Sequence, residues 1–263
     1  MNGVAPLIQE LWAVTSIVQI LLLCLLIARR NVRSFPAFSA YIFMTLAQSG
    51  LLFVAIKGWG FSSLVSWRIG WATQCLVLGA RAFAVAELCK HILGRFRGVW
   101  VLARWILLTA GSVVLVYALA VANHNWQLGL NTAELGLELA MAAVVVVLLL
   151  FARYYDVMVA PPLRWLAVGL CVYSCMSVLN DTILERWLSL YVTLWNVIGM
   201  AAFLACLLLW SWAFRKTVPQ AAAADSRLLD RAVYLRIIPE VNWRLRALDE
   251  QLIRFWQLEA PRT

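Results

Sequence analysis

The residues of this sequence that could do chemistry are polar side chains set inside otherwise apolar stretches: Arg81, Glu138, Asp181, Asn196, Gln74 and Gln48, with Trp195 beside Asn196. Arg81 lies at the middle of the stretch 69–93, IGWATQCLVLGARAFAVAELCKHIL, about twelve residues from either end. A hydrocarbon core of about 30 Å is crossed by about 20 helical residues, so Arg81 falls near the midplane of such a crossing. A guanidinium there has to face protein, water or a counter-charge. Counted from the outer borders of their own stretches, the other five polar residues are expected in the outer half of the membrane. An arginine head extends several ångströms along its helix, which puts Glu138 and Asp181 within its reach. Gln74 and Arg81 are seven apart and share one helix face.

Two kinds of chemistry fit this set. One is recognition: a small anionic or amphipathic ligand at Arg81, or a cation at the carboxylates. The other is internal pairing that holds helices in register, each interhelical polar contact contributing about 0.6–2 kcal/mol. Several activities are argued down by residue type. A retinal Schiff base needs a lysine inside the last span, and Lys57, Lys90 and Lys216 all lie at or beyond segment ends. There is no His-Glu-x-x-His and no Gly-x-x-x-x-Gly-Lys. His124 stands alone in an outer loop, and His91 ends a helix beside Glu87 and Lys90, where a solvated terminus favoured by the helix dipole is expected. No catalytic residue, metal site or cofactor is expected. The six cysteines fall inside apolar stretches as small hydrophobes and imply no disulfide framework. Cys171 and Cys175, four apart, are the one pair with redox or metal spacing.

The elements that position these residues follow from composition. The chain is 64% hydrophobic and 13% charged, against roughly half and a quarter for soluble domains. Seven apolar runs of spanning length can be counted, at about 6–28, 35–56, 69–93, 101–122, 134–151, 165–184 and 189–214. The expected fold is therefore an all-α polytopic bundle of seven transmembrane helices over 1–216. A linker at 217–225 and a cytoplasmic amphipathic helical tail at 226–263 follow it. Of the twenty-two Lys and Arg, eighteen gather on the side holding Arg29, Arg30, Arg33 and the tail, while only Lys57, Arg68 and Arg186 lie on the other. This asymmetry predicts an N-terminus outside and a C-terminus inside. It also accounts for the net charge of +9 without nucleic-acid binding. Tryptophans at segment ends, among them Trp59, Trp67, Trp105, Trp165, Trp210 and Trp212, are expected to form interfacial belts. The N-terminal MNGVAPLIQELW lacks a basic signal-peptide start, so the first segment is expected to remain as an anchor.

In the tail, Pro239 breaks one helix and can open a second. Val241, Leu245, Leu248, Leu252 and Phe255 then recur at spacings of four and three, forming one apolar seam. That seam can dock on the bundle, lie on the anionic inner leaflet, or bind a cytoplasmic protein or a second copy of the chain.

Three stretches resemble an uncharacterised bacterial family of seven-helix integral membrane proteins. They are Arg29-Arg-x-x-Arg-Ser-Phe-Pro-x-Phe-x-x-Tyr41, Glu87-Leu-Cys-Lys-His91, and Asn242-Trp-x-Leu-x-x-Leu-Asp-x-x-Leu252. The resemblance implies the topology and an inner-membrane location, and no activity. The sequence-level expectation is a non-enzymatic, receptor-like sensor with a polar pocket around Arg81 in the outer half. A small-molecule or ion transporter or channel subunit and a structural assembly subunit stand beside it, with membrane lipids as partners in each case.

Overall fold

The computed structural model describes residues 4–60, 63–94, 96–122, 126–155, 159–187, 192–215, 247–248 and 250–255. Among them all regular structure is helical. The main elements are α1 (Val4–Ala28), α2 (Asn31–Ser34), α3 (Pro36–Trp59), α4 (Leu64–Leu93), α5 (Arg97–Ala122), α6 (Trp126–Tyr154), α7 (Pro161–Trp187) and α8 (Val192–Ala213). Six carry stretches long and apolar enough to cross a membrane: Ile8–Ala28, Pro36–Trp59, Gly98–Tyr117, Asn131–Tyr154, Pro161–Asn180 and Leu194–Ala213. This is an integral membrane protein.

The seventh expected span, α4, has ample length at 30 residues and carries Arg68, Arg81, Glu87 and Lys90, but it is not among these six. It starts earlier than its apolar run because Ser63 caps it, the Ser63 hydroxyl oxygen accepting from the Ser66 amide at 3.1 Å. Gly60 ends α3 just before, at φ 83°. The helix α6 likewise begins at Trp126, ahead of the expected 134, because Asn131 and Thr132 are tolerated in its first turns. Apolar counting marks the hydrocarbon, and the helices overrun it. The short helix α2, tucked between α1 and α3, has no apolar signature and was not expected.

Burial is inverted relative to a soluble protein. Ile17, Leu21, Phe53, Phe83, Val116 and Leu150 are exposed, while Arg81 and Glu138 are buried. A lipid solvent imposes this arrangement, since outward apolar side chains lose nothing there and inward polar ones find partners. The long helices close on one another: α1 packs against α3 and α8, α3 against α4, α5 against α6, α6 against α7, and α7 against α8. Among the described residues, α4 alone touches four of the others at length, namely α3, α5, α6 and α7. Its two faces are opposed. Leu76 and Phe83 point outward, whereas Gln74 and Arg81, two positions earlier and so about half a turn round, point inward.

Two expectations are refined by the packing. Trp210, expected in an interfacial belt, is fully buried, edge-on to Phe38 at 5.2 Å between ring centroids. It fits because residue 169 on α7 is glycine: any Cβ there would overlap the indole. The Cys206 thiol donates to the Gly169 carbonyl at 3.4 Å, closing α7 on α8. In the tail, Leu252 is half-buried and packs against the bundle core, Leu248 is half-buried, and Phe255 is 55% exposed. Docking on the bundle therefore describes this part of the seam, while Val241 and Leu245 lie outside the described residues.

The glycines give a paired test. Nothing lies within 4 Å of a Cβ at Gly79, so Gly79→Ala should stabilise by about 0.5–1 kcal/mol through helix propensity alone. The same change at Gly169 should instead lower stability by about 1–3 kcal/mol through overpacking against Trp210. Thermal unfolding of the two variants in one detergent checks the opposed signs.

Candidate functional site

The polar interior is a ladder of three rungs along the inward face of α4. In the first rung the Gln48 amide on α3 donates to the Gln74 carbonyl oxygen at 2.9 Å. The Gln74 amide in turn donates to the Glu134 carboxylate on α6. All three residues are half-buried. In the second rung the Arg81 guanidinium pairs with the Glu138 carboxylate, the two side chains being 1% and 0% exposed. The guanidinium also lies 4.6 Å from the ring centre of Tyr173 on α7 and 5.7 Å from that of Tyr41 on α3. In the third rung Glu87 reaches α3, its two carboxylate oxygens accepting from the Phe38 amide at 3.0 Å and the Ala37 amide at 3.3 Å.

Spacing produces the ladder. Tyr41 and Gln48 are seven apart on α3, Gln74 and Arg81 seven apart on α4, and Glu134 and Glu138 four apart on α6, so each pair shares a face. Residue numbers rise together on α4 and α6 and fall on α3, which gives α3 the opposite direction. Three helices therefore meet at two heights, and α7 adds Tyr173 at the second.

The second rung is the expensive one. Two charges removed from water repay their desolvation only when paired and further bonded. Here the guanidinium gains two aromatic faces besides its carboxylate, and a desolvated cation–π contact is worth about 2 kcal/mol. Outside the ion pair itself, three buried donors around it have no hydrogen-bond partner among the described residues: Arg81 Nε, the Tyr41 hydroxyl and Trp210 Nε1. Tyr41 and Trp210 are 6.3 Å apart between ring centroids. All three groups carry a donor proton, and the Glu138 carboxylate is the buried acceptor in the same layer.

The sequence-level candidates divide as follows. Arg81, Glu138, Gln74 and Gln48 come together in the ladder. Trp195 is half-buried and Asn196 exposed on α8, and neither joins the ladder among the contacts described. The side chain of Asp181 lies outside the described residues. Glu87 differs from expectation: instead of ending a solvated helix it caps the N-terminus of α3 beside Pro36, where a carboxylate complements the helix dipole. His91 stacks on Phe35 at 4.8 Å, its Nδ1 held 2.9 Å from the Glu87 carbonyl oxygen. Sequence reasoning missed Glu134, Tyr41, Tyr173 and Trp210 as members. Glu134 and Tyr41 carried a signal, being four from Glu138 and seven from Gln48. No spacing connects Tyr173 or Trp210 to the other members.

Pairing predicts strongly non-additive mutations. Glu138→Leu or Arg81→Met alone leaves one uncompensated buried charge and should cost about 3–5 kcal/mol, whereas the double variant should recover most of that loss. A double-mutant cycle of thermal stability in lipid nanodiscs measures it, and additive losses would show that the pair is not coupled. Comparison of the chain with protein-family models, with curated proteins and with solved structures finds no match.

Proposed function

We propose that this chain is a non-enzymatic, receptor-like sensor that crosses a bacterial inner membrane seven times, with its N-terminus outside. It binds a small anionic or amphipathic ligand at the Arg81 layer and engages a cytoplasmic protein through its basic inner end and tail helix. The observation that carries the reading is the unfilled donor set at the centre of the bundle. Arg81 Nε, the Tyr41 hydroxyl and Trp210 Nε1 are buried donors without an acceptor among the described residues, beside a guanidinium already committed to one carboxylate. Buried polar groups of this kind are rare in native proteins and call for an explanation. An anionic guest supplies the acceptor. It also competes with Glu138 for Arg81, and so shifts the contact between α4 and α6, which gives a ligand differential affinity for two states of the bundle.

The seven-span topology rests on α4. Its length and its outward Leu76 and Phe83 suit a crossing, with its charges turned inward toward Glu138 and α3. The direction rests on charge: exposed Arg29, Arg30, Arg33, Lys90, Arg153, Arg164 and Arg215 all belong to one end. The half-buried Gln48–Gln74–Glu134 rung then faces the outside and forms the polar approach to Arg81.

A transport reading draws on α1, where Gln19 is buried with its carbonyl oxygen unpartnered among the described residues. Its neighbour Thr15 is satisfied by its own helix, donating to the Leu11 carbonyl at 2.7 Å, so a continuous wet path is less well supported there.

Two outcomes are expected. Thermal-shift screens across lipid and metabolite sets should find acidic compounds that stabilise the wild type and leave Arg81→Ala unshifted; a ligand stabilising both equally would sink the assignment to Arg81. Accessibility labelling in intact cells should find a cysteine introduced at position 3 reactive from outside and one at position 217 protected. The reverse pattern refutes the orientation. Proteoliposome flux abolished by Glu138→Gln would move the assignment to transport.

A further inference from the structure

At the end of the bundle where α1 stops and α3 begins, a hollow of about 370 Å³ is lined by Ile27, Arg30, Val32 and Arg33. It is amphipathic by construction. Ile27, in the last turn of α1, is exposed on the lipid-facing surface, and Val32 is half-buried, while the two arginines are exposed. The segment is anchored from below: Asn31 and Phe35 are fully buried, with Phe35 packed edge-on to Phe214 at 5.4 Å as well as on His91. The hollow is therefore held by the bundle and is not a loose loop of basic residues. Neither Arg30 nor Arg33 pairs with a carboxylate among the described residues.

The backbone adds a second, independent observation. Arg30 sits at φ 56°, ψ 17°, the one positive-φ residue other than glycine among those described. Helices commonly end in this left-handed conformation, and glycine is the residue that adopts it without steric penalty. An arginine at such a position is placed there against local preference, and backbone outliers of this kind cluster at binding sites.

We infer that this hollow is a binding site for the phosphate of an anionic phospholipid, held between the guanidinium groups of Arg30 and Arg33 with Ile27 and Val32 against its apolar part. Guanidinium forks match phosphate oxygens in geometry as well as charge. The apolar wall continuous with the lipid-facing side of α1 selects a lipid over a free anion, and basic hollows at the membrane surface are where anionic headgroups are bound. The site is separate from the Arg81 layer and does not depend on what that layer binds.

The test uses the full-length protein in phosphatidylcholine nanodiscs with and without phosphatidylglycerol, read by thermal unfolding. Phosphatidylglycerol should raise the Tm of the wild type. Arg30→Gly should be at least as stable as wild type in pure phosphatidylcholine, because the backbone is relieved, yet lose most of the phosphatidylglycerol shift. Arg33→Ala should lose it similarly, while Arg153→Ala/Arg164→Ala, at the same end but outside the hollow, should keep it. The proposal fails if the Arg30 and Arg33 variants keep the full shift, or if the Arg153/Arg164 variant loses as much. It fails as a lipid site if inorganic phosphate in pure phosphatidylcholine gives the same Arg30-dependent shift.

Discussion

A guanidinium buried in an apolar bundle cannot be left without a partner, and the arrangement of this bundle follows from meeting that condition at Arg81. The cost of an isolated charge at the bilayer centre is several kcal/mol on the most lenient scales. Glu138 removes it only if α6 lies beside α4, at the right height and with the right face turned inward. The pair thereby fixes the register and the rotation of two helices at once, and the rings of Tyr173 and Tyr41 extend the condition to α7 and α3. Apolar contacts alone would not do this. Lipid and side chains are equally oily, so sliding one helix along another changes little free energy. Polar groups supply the discrimination that the hydrophobic effect supplies in water.

The same constraint explains why α4, which carries Arg68, Arg81, Glu87 and Lys90, is the most surrounded of the long helices among the described residues. Its charges exclude it from any rim position with an all-round lipid face, and its contacts with α3, α5, α6 and α7 shield them. What remains to lipid is the Leu76 and Phe83 stripe. Polarity along the inward face is graded, from the half-buried amide rung at Gln74, through the fully buried ion pair, to Glu87 serving as a cap for α3. Each rung satisfies backbone or side-chain groups that would otherwise be stranded in hydrocarbon.

Much of this was legible in the sequence, and the part that was not has a single cause. Apolar runs located the long helices, and counting residues from a segment border gave Arg81 and Glu138 compatible heights. Height along a helix is readable because the rise per residue is constant. Rotation about the helix axis relative to a neighbour is not readable, because it depends on which helices are adjacent. Asn196 has a suitable height and faces away, and Trp210 has the height of an interfacial belt and faces in. Tyr173 was invisible for the same reason: nothing within α7 says which face meets α4. Glu134 could have been found, since a carboxylate four residues before Glu138 must share its face. The approach of α7 to α8 at Gly169 depends on a missing side chain, which no periodicity reports.

Fixing register does not by itself require an ion pair. Buried pairs can often be replaced by apolar residues of similar volume with no loss of stability, so stability is a weak reason for keeping one. Interhelical amide bonds, like the one between Gln48 and Gln74, specify register with far less desolvation. The second rung also leaves three donors around Arg81 without an acceptor among the described residues, where a purely structural layer would be expected to satisfy them or do without them. A layer that is costly, donor-rich and half-committed is poorly suited to being only a fastener. In the function proposed above, the layer holds α4 in one arrangement until a competing acceptor offers Arg81 another.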